Sequence, residues 1–483
     1  MAEKRASVLQ ADLVVVGGGG AGLVAAATAL ENKVKNIIVL EKRAVLGGNS
    51  IFPHGILATE TSLLKRSGYD TKRDDIFQAM MQYTQWKADP RLIRALVDQT
   101  PNNIVWMEKN GIHFTKIGSL YANQIPITAH CVEEPEGVGA VVIKKLVRKL
   151  QDHSIRIMTK TSAKRILTDK KVKVSGLLAT GNNGDFKINT SCIIMATGGF
   201  AGNPKLIRKF DPSYNEKELV HGGIPNTGDA TTMCAEIGAA VEGMVMEMDG
   251  QEFPWAKGIS VAARRASNIW VNRNGDRFVS ESVRSVNEVA NAIYRQPGRI
   301  SYSLFDERIK KRICNDEPAP IEMVFLGGKS INSLIEKELK EQVPKGRVKI
   351  SNSWDEIAMW MGASATTLKS TVKQYNTYCN NKHDEIFVKD AAFMMPLRTP
   401  PYYAVKCCIR LLTTHGGPRV NERMEVLDIK ENPITGLYAA GTEIGGAEWG
   451  TYYIFAAGHS FGFTVSSGRI AGDEASRYIR HIK

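Results

Sequence analysis

The apolar residues of this chain fall in short blocks that end on glycine. Leu13–Val16 is an unbroken apolar run, the pattern of a strand buried on both faces, and it stops at four consecutive glycines, Gly17 to Gly20. The Ala-rich stretch from Leu23 to Leu30 then reads as a helix, and a second apolar run, Asn36 to Leu40, ends on Glu41. Strand, turn, helix and strand in that order predict a parallel sheet with a crossover helix. Polar-faced helices are predicted over 60–112, with Asp89-Pro90 as a start and Gly111 as a stop. Between Gly137 and Leu150, the spacing of Val141, Val142, Leu146 and Leu150 predicts an amphipathic helix. Strand patterns follow over Ile155–Ala163, Lys171–Thr180 and Asp185–Ile188, with a hairpin turn at Gly181-Asn182-Asn183-Gly184. They lead to an apolar run, Cys192–Met195, and a second strand-to-glycine junction at Gly198-Gly199.

The pattern changes near Gly243. From there to about residue 400, irregular polar stretches alternate with short helices. Within this region Ser353-Trp354-Asp355-Glu356 has the form of a capping box, and Leu368, Val372 and Tyr375 share a helix face. Strands resume at Tyr402, and a last helix is predicted over roughly Ser460 to Ile479. The expected organisation is a first domain in two parts, 1–242 and 401–483, split by an inserted domain at 243–400.

Composition narrows the class. At 483 residues the chain exceeds one usual core, and 43% hydrophobic with 23% charged residues is globular. No apolar run reaches membrane-spanning length, and the N-terminus lacks the apolar core of a signal peptide, so a cytoplasmic protein is expected. Seven scattered cysteines form no C-x-x-C pair, which predicts reduced thiols and no metal site. The net charge of +13 is spread along the chain without an aromatic-interleaved basic stripe. A solvated basic surface that attracts an anionic substrate fits this better than nucleic-acid binding.

The candidate chemistry begins at the first turn. Gly17, Gly19 and Gly22 fit G-x-G-x-x-G between strand and helix, where backbone amides and the helix N-terminus receive a pyrophosphate. Glu41 lies nineteen residues after Gly22. A carboxylate there accepts from both ribose hydroxyls of an adenosine and repels a 2′-phosphate, so FAD or NAD fits better than NADP.

The stretches VVVGGGGAGLVAA, LEKRAVLGGNS, IIMATGGFAGN, NTGDATTM, VNRNGDRFVSE, VKQYNTYC, PPYYAVK, ITGLYAAGTEIGG and SGRIAGDEA, taken together, resemble the flavoprotein family of fumarate reductase and succinate dehydrogenase. The similarity covers nearly the whole chain. It is closer to the soluble branch with flavocytochrome fumarate reductases, urocanate reductases and 3-ketosteroid dehydrogenases. The resemblance implies an α/β architecture: a Rossmann-like FAD-binding domain with an inserted α+β capping domain. It implies that Gly17, Gly19, Gly22, Glu41 and Lys42 hold the ADP half of FAD. Gly48, Asn49 and Ser50 would lie by the pyrophosphate and flavin, with Gly55 and Ile56 near the ring. Ala163 would meet the adenine, and Ala196, Thr197 and Gly198 the ADP moiety. Asp229, Glu443 and the helix start at His459-Ser460 would complete the site, since a helix N-terminus stabilises negative charge on a reduced flavin.

Departures from the family are informative. The histidine that attaches FAD covalently in membrane-bound members is Asn49 here, which predicts non-covalent FAD. Haem motifs are missing, so a separate electron donor or acceptor is expected: a quinone, a reductase or a redox protein. An arginine of the family's proton-donor region is present as Arg284, one residue early. In the family's Thr–Glu–x–x–Arg relay, Arg264 survives (beside Arg265) but the glutamate is Val261. The substrate histidine falls at Thr413, with His415 two residues later. The carboxylate-clamping arginine of the terminal stretch is replaced within Trp449-Gly450-Thr451-Tyr452-Tyr453.

These losses argue against a small dicarboxylate, which two arginines would clamp. The aromatic residues suit a larger, partly aromatic or alicyclic substrate. The expected reaction is hydride transfer between flavin N5 and a carbon of an activated C=C or CH–CH bond. The proton donor is one of Tyr452, Tyr453 and Arg284, and Arg264 and His415 are further catalytic candidates. Alternatives are a 3-ketosteroid-type dehydrogenase with a tyrosine base, a flavin-carrying electron-transfer subunit without its own substrate, and a non-flavin binding module.

Overall fold

The computed structural model describes residues 7–123, 125–134, 136–283, 285–316, 326, 329–452 and 454–483, with backbone alone for 119–123 and 125–127. The chain divides into two compact units. The first holds 7–214, 223–247 and 413–483, and the second 215–222 and 248–412. Each has its own apolar core.

The first unit is built on a six-stranded sheet. Its strand order is Glu425–Leu427, Pro433–Ala439, Ile193–Met195, Leu13–Val16, Ile37–Leu40 and Arg156–Met158. All neighbours are parallel except the first pair. Leu13–Val16 and Ile37–Leu40 are buried throughout, as their unbroken apolar runs require. The helix Gly20–Glu31 crosses over between them and packs on Gly137–Asp152 and on the terminal helix His459–Ile482. The helices expected over 60–112 are Ser62–Arg66, Arg73–Tyr83, Pro90–Asp98 and Thr100–Lys109, and Asp89 caps the third by accepting from Arg91 and Leu92 N–H.

A four-stranded sheet stands beside these elements in the order Ser7–Gln10, Gly184–Asn189, Val174–Gly181 and Ser162–Thr168. The stretch Ile155–Ala163, expected as one strand, is two. Arg156–Met158 joins the central sheet, Lys160 turns at φ 50, and Ser162 opens the second sheet. The strand at Ser7–Gln10 was not expected, and it pairs in parallel with Gly184–Asn189.

The second unit is more regular than its polar composition predicts. The strands Leu219–His221, Tyr402–Pro418, Ser301–Asp306 and Ile269–Val271 lie side by side, and Val348–Ser351 also pairs with Tyr402–Pro418. Ala365–Asn381 is a helix of 17 residues that buries Leu368, Val372 and Tyr375. The capping box is half formed. Ser353 accepts from Asp355 N–H, while Glu356 turns to the Ser351 hydroxyl at 2.9 Å. The unit boundaries fall at 248 and 412, against the expected 243 and 400, because the strands Val241–Glu252 and Tyr402–Pro418 run through them.

Among the described residues, no helix is long and apolar enough to cross a membrane, and no cluster of His, Cys, Asp and Glu is placed to hold a metal ion.

Candidate active site

The glycine turn is fixed by close approach. Gly17 has φ +113, and a Cβ there would lie 2.0 Å from the Ala196 carbonyl oxygen. A Cβ on Gly22 would lie 2.0 Å from the Gly17 oxygen. Gly19 differs: the nearest atom to a Cβ there is 3.8 Å away, so the turn is open on this side. Gly47 donates its N–H to the Gly18 carbonyl at 2.8 Å, which brings Gly48, Asn49 and Ser50 against the turn. Glu41 holds the same turn, accepting from Gly18 N–H at 2.9 Å and from Arg43 N–H at 2.8 Å.

The other residues expected around the cofactor cluster in two further groups. Lys42 pairs with Asp229 at 3.0 Å at the start of the helix Asp229–Glu236. Thr197, between Ala196 and Gly198, accepts from Ala230 N–H and donates to Glu443 at 2.5 Å. Gly55 and Ile56 meet the start of the terminal helix: a Cβ on Gly458 would lie 2.7 Å from the Gly55 oxygen, and Leu57 N–H bonds the Gly458 carbonyl. Gly458 caps that helix without a side chain, so the backbone N–H groups at His459-Ser460 have no side-chain partner there. Ala163 sits half-buried at the start of its strand, packed on the core. Asn49 uses both ends of its amide on Ile224, accepting at 2.6 Å and donating at 3.5 Å.

These residues fit a dinucleotide. The Glu443 carboxylate is fully buried, and its Oε1 has no hydrogen-bond partner. Burial pushes its pKa up to about 8, against the Thr197 hydrogen bond and with help from the Asp229 charge. An orphaned buried acceptor, an open glycine turn and a helix N-terminus without a side-chain cap suit the hydroxyl-rich, anionic chain of FAD.

Beside them lies a stack of rings. His415 and Tyr452 have centroids 4.9 Å apart, and Tyr452 and His459 5.2 Å apart, both at 22° between planes. All three are at least 95% buried. Each imidazole faces a carboxylate. Glu247 is 2.8 Å from His415 Nε2. Glu448 lies 3.3 Å from His459 Nε2, in ion-pair reach but outside hydrogen-bond geometry, so His459 Nε2 is left unbonded. A narrow cleft is lined by His415, Thr442, Glu448, Ser460, Phe463 and Thr464. Neither Glu247 nor Glu448 was expected from the sequence. Their partners lie in distant strands or around a loop, where no periodic signal exists.

Arg264 belongs to the second unit, where it ends the helix Lys257–Ala263 and pairs with Glu252. The carboxylate that Arg264 meets thus lies on the strand Val241–Glu252 and not at Val261, and Arg410 approaches the same carboxylate at 3.8 Å. Arg284 and Tyr453 lie outside the described residues. Cys407 and Cys408 are buried, and burial pushes the Cys408 thiol up to about 12, so it is not poised as a thiolate.

The FAD binding domain family model matches residues 12–453. The chain belongs to this family, and FAD is its cofactor. It is 27% identical to a vinyl phenol reductase of Lactiplantibacillus plantarum, over 97% of this chain and 96% of that protein. It is also 27% identical to a fumarate reductase (cytochrome) of Shewanella frigidimarina, over 97% and 77%. Among solved structures it is similar in fold to the 3-ketosteroid-delta4-(5alpha)-dehydrogenase of Rhodococcus jostii RHA1, with a TM-score of 0.74, 22% identity and 97% of both chains covered.

Proposed function

We propose that this flavoprotein reduces an activated C=C bond conjugated to an aromatic ring or carbonyl, with Tyr452 as proton donor. The observation that carries this reading is the stack of Tyr452 on His415, which lines a narrow cleft together with Glu448. Glu448 is 4% exposed, and its Oε2 has no hydrogen-bond partner. A buried carboxylate in this wall disfavours a dianionic substrate. Tyr452 instead offers an apolar ring with a hydroxyl. The relative named for a vinyl phenol, matched over nearly its full length, points the same way.

Gly17, Gly19, Gly22, Glu41, Lys42, Ala163 and Ala196–Gly198 would hold the ADP half of FAD. Gly48–Ser50, Gly55, Ile56, Asp229, Glu443, His459 and Ser460 would hold the remainder. FAD, when bound, supplies the hydride. Asn49 cannot form the histidyl link, and its amide is committed to Ile224, which supports non-covalent attachment. The residues of this chain orient the alkene, exclude water and hold the proton that Tyr452 transfers to the carbon beside the one taking hydride. Electrons reach FAD from a separate donor.

The test is direct. FAD should be released by acid precipitation. The reduced protein should be reoxidised within one turnover by 4-vinylphenol or cinnamate-type acceptors, and at least ~10-fold more slowly by fumarate, a discrimination within reach of one mispaired charge. Faster reoxidation by fumarate would overturn the substrate assignment. Bleaching of the oxidised flavin by a 3-ketosteroid would instead favour the dehydrogenase direction.

A further inference from the structure

We propose that Glu247 is a positioning residue that keeps His415 as an imidazolium stacked on Tyr452, so that the phenolate left by proton transfer forms against a fixed positive charge. The inference rests on Tyr452 being the proton donor. Reducing the C=C bond adds a hydride from reduced FAD to one carbon and a proton to its neighbour. The Tyr452 O–H bond breaks, the new C–H bond forms with the alkene's electron pair, and the O–H electron pair stays on oxygen as phenolate. Solvent returns the proton after turnover. In a buried site that phenolate needs compensation, because an isolated buried anion is strongly disfavoured.

The geometry supplies it. His415 lies nearly parallel to the Tyr452 ring at 4.9 Å, and its Nε2 is held by Glu247 at 2.8 Å. The groups around His415 are Glu247 on the strand Val241–Glu252, and Glu448 and Tyr452 from the segment before the terminal helix. His459 lies on the far face of Tyr452, with Glu448 beside it. Burial opposes charge on His415. The hydrogen bond and charge of Glu247, with the charge of Glu448, outweigh it, so the imidazolium persists above the usual histidine range. A neutral His415 would leave the Glu247 and Glu448 charges beside the stack without its compensation, both adverse to a phenolate.

The experiment compares the intact flavoprotein with Glu247→Gln, Glu247→Asp and Tyr452→Phe. In ¹⁵N-histidine NMR titrations, with His415 assigned through His415→Gln, the wild-type resonance should titrate above the ordinary range. Glu247→Gln should move it below, and Glu247→Asp should restore it in part. In single-turnover reoxidation of reduced flavin by an alkene, Glu247→Gln should slow the step roughly 10- to 100-fold, the scale of one general-acid contribution. The acceptor concentration at half-saturation should change little. Activity requires protonated His415, so the rate falls as pH rises through its pKa, and in Glu247→Gln that fall should begin at lower pH.

If Tyr452→Phe reoxidises at the full rate, the proton-donor reading fails, whatever Glu247 does. If Tyr452→Phe is impaired but Glu247→Gln leaves the His415 titration and the pH profile unmoved, the role of Glu247 is refuted. A purely structural Glu247 would lower thermal stability without moving either titration.

Discussion

Glu443 is the most deeply buried acid of the proposed cofactor site. Its carboxyl is fully buried, accepts a hydrogen bond from the Thr197 hydroxyl, and has its pKa raised to about 8 by burial, with Asp229 adding to the rise. The folded carboxyl therefore holds its proton at pH values where the unfolded one has lost it. Stability from this group is full below about 4.5 and is lost as pH rises through about 8. The FAD-free protein should lose stability steadily across that window in urea titrations. Glu443→Gln should flatten the slope and stabilise the FAD-free protein at pH 8 by on the order of a few kcal/mol. Equal slopes in the two proteins would refute the assignment. The sequence motifs identified Glu443 and Thr197 separately but not their pairing, across 246 positions. In the same way His415 stood out beside two glycines, while Glu247, 168 positions earlier, had no local pattern to mark it. Side chains that act through partners far along the chain leave no periodic trace.

At the scale of elements, the glycine turn was the most legible part, because sterics dictate it directly. Unbroken apolar runs located Leu13–Val16 and Ile37–Leu40, and the glycine spacing located the turn between strand and helix. The turn also allows packing and binding to be separated. Gly22→Ala places a methyl group 2.0 Å from the Gly17 carbonyl oxygen, so strand and helix must part; a loss of roughly 1–3 kcal/mol or more follows. Gly19→Ala meets nothing nearer than 3.8 Å, and its φ of −83 suits alanine. The FAD-free stability of Gly19→Ala should therefore stay near wild type while FAD affinity falls, read by flavin fluorescence on titration. A Gly19→Ala protein that binds FAD normally would exclude close cofactor approach at this turn. Less legible was Ile155–Ala163, where apolar alternation continues through a bend and hides the passage from one sheet to another.

For the whole molecule, the sequence marked an insertion by its change of pattern but missed how that insertion holds itself together. The RFVSE stretch precedes Arg284, the expected proton-donor candidate. Its own Arg277 and Glu281 form a buried network with Asp384 and Lys389, all four side chains at most 5% exposed. Arg277 meets Glu281 at 2.7 Å and Asp384 at 2.8 Å, and Lys389 meets Glu281 at 3.3 Å and the Asn268 carbonyl at 2.6 Å. Two cations balance two anions, and Asp384 also receives the N–H groups of Ile386, Phe387 and Lys389. Asp384→Asn keeps the shape but removes one anion, leaving an excess buried cation. Breaking such a pair costs about 3–5 kcal/mol. Because each unit has its own core, the loss should be confined to the second unit. Calorimetry of Asp384→Asn should show a lowered transition that added FAD does not restore, while FAD titrated at low temperature binds with wild-type affinity to the glycine turn of the first unit. A single transition shifted as a whole, with FAD affinity falling in step, would show instead that the two cores unfold as one.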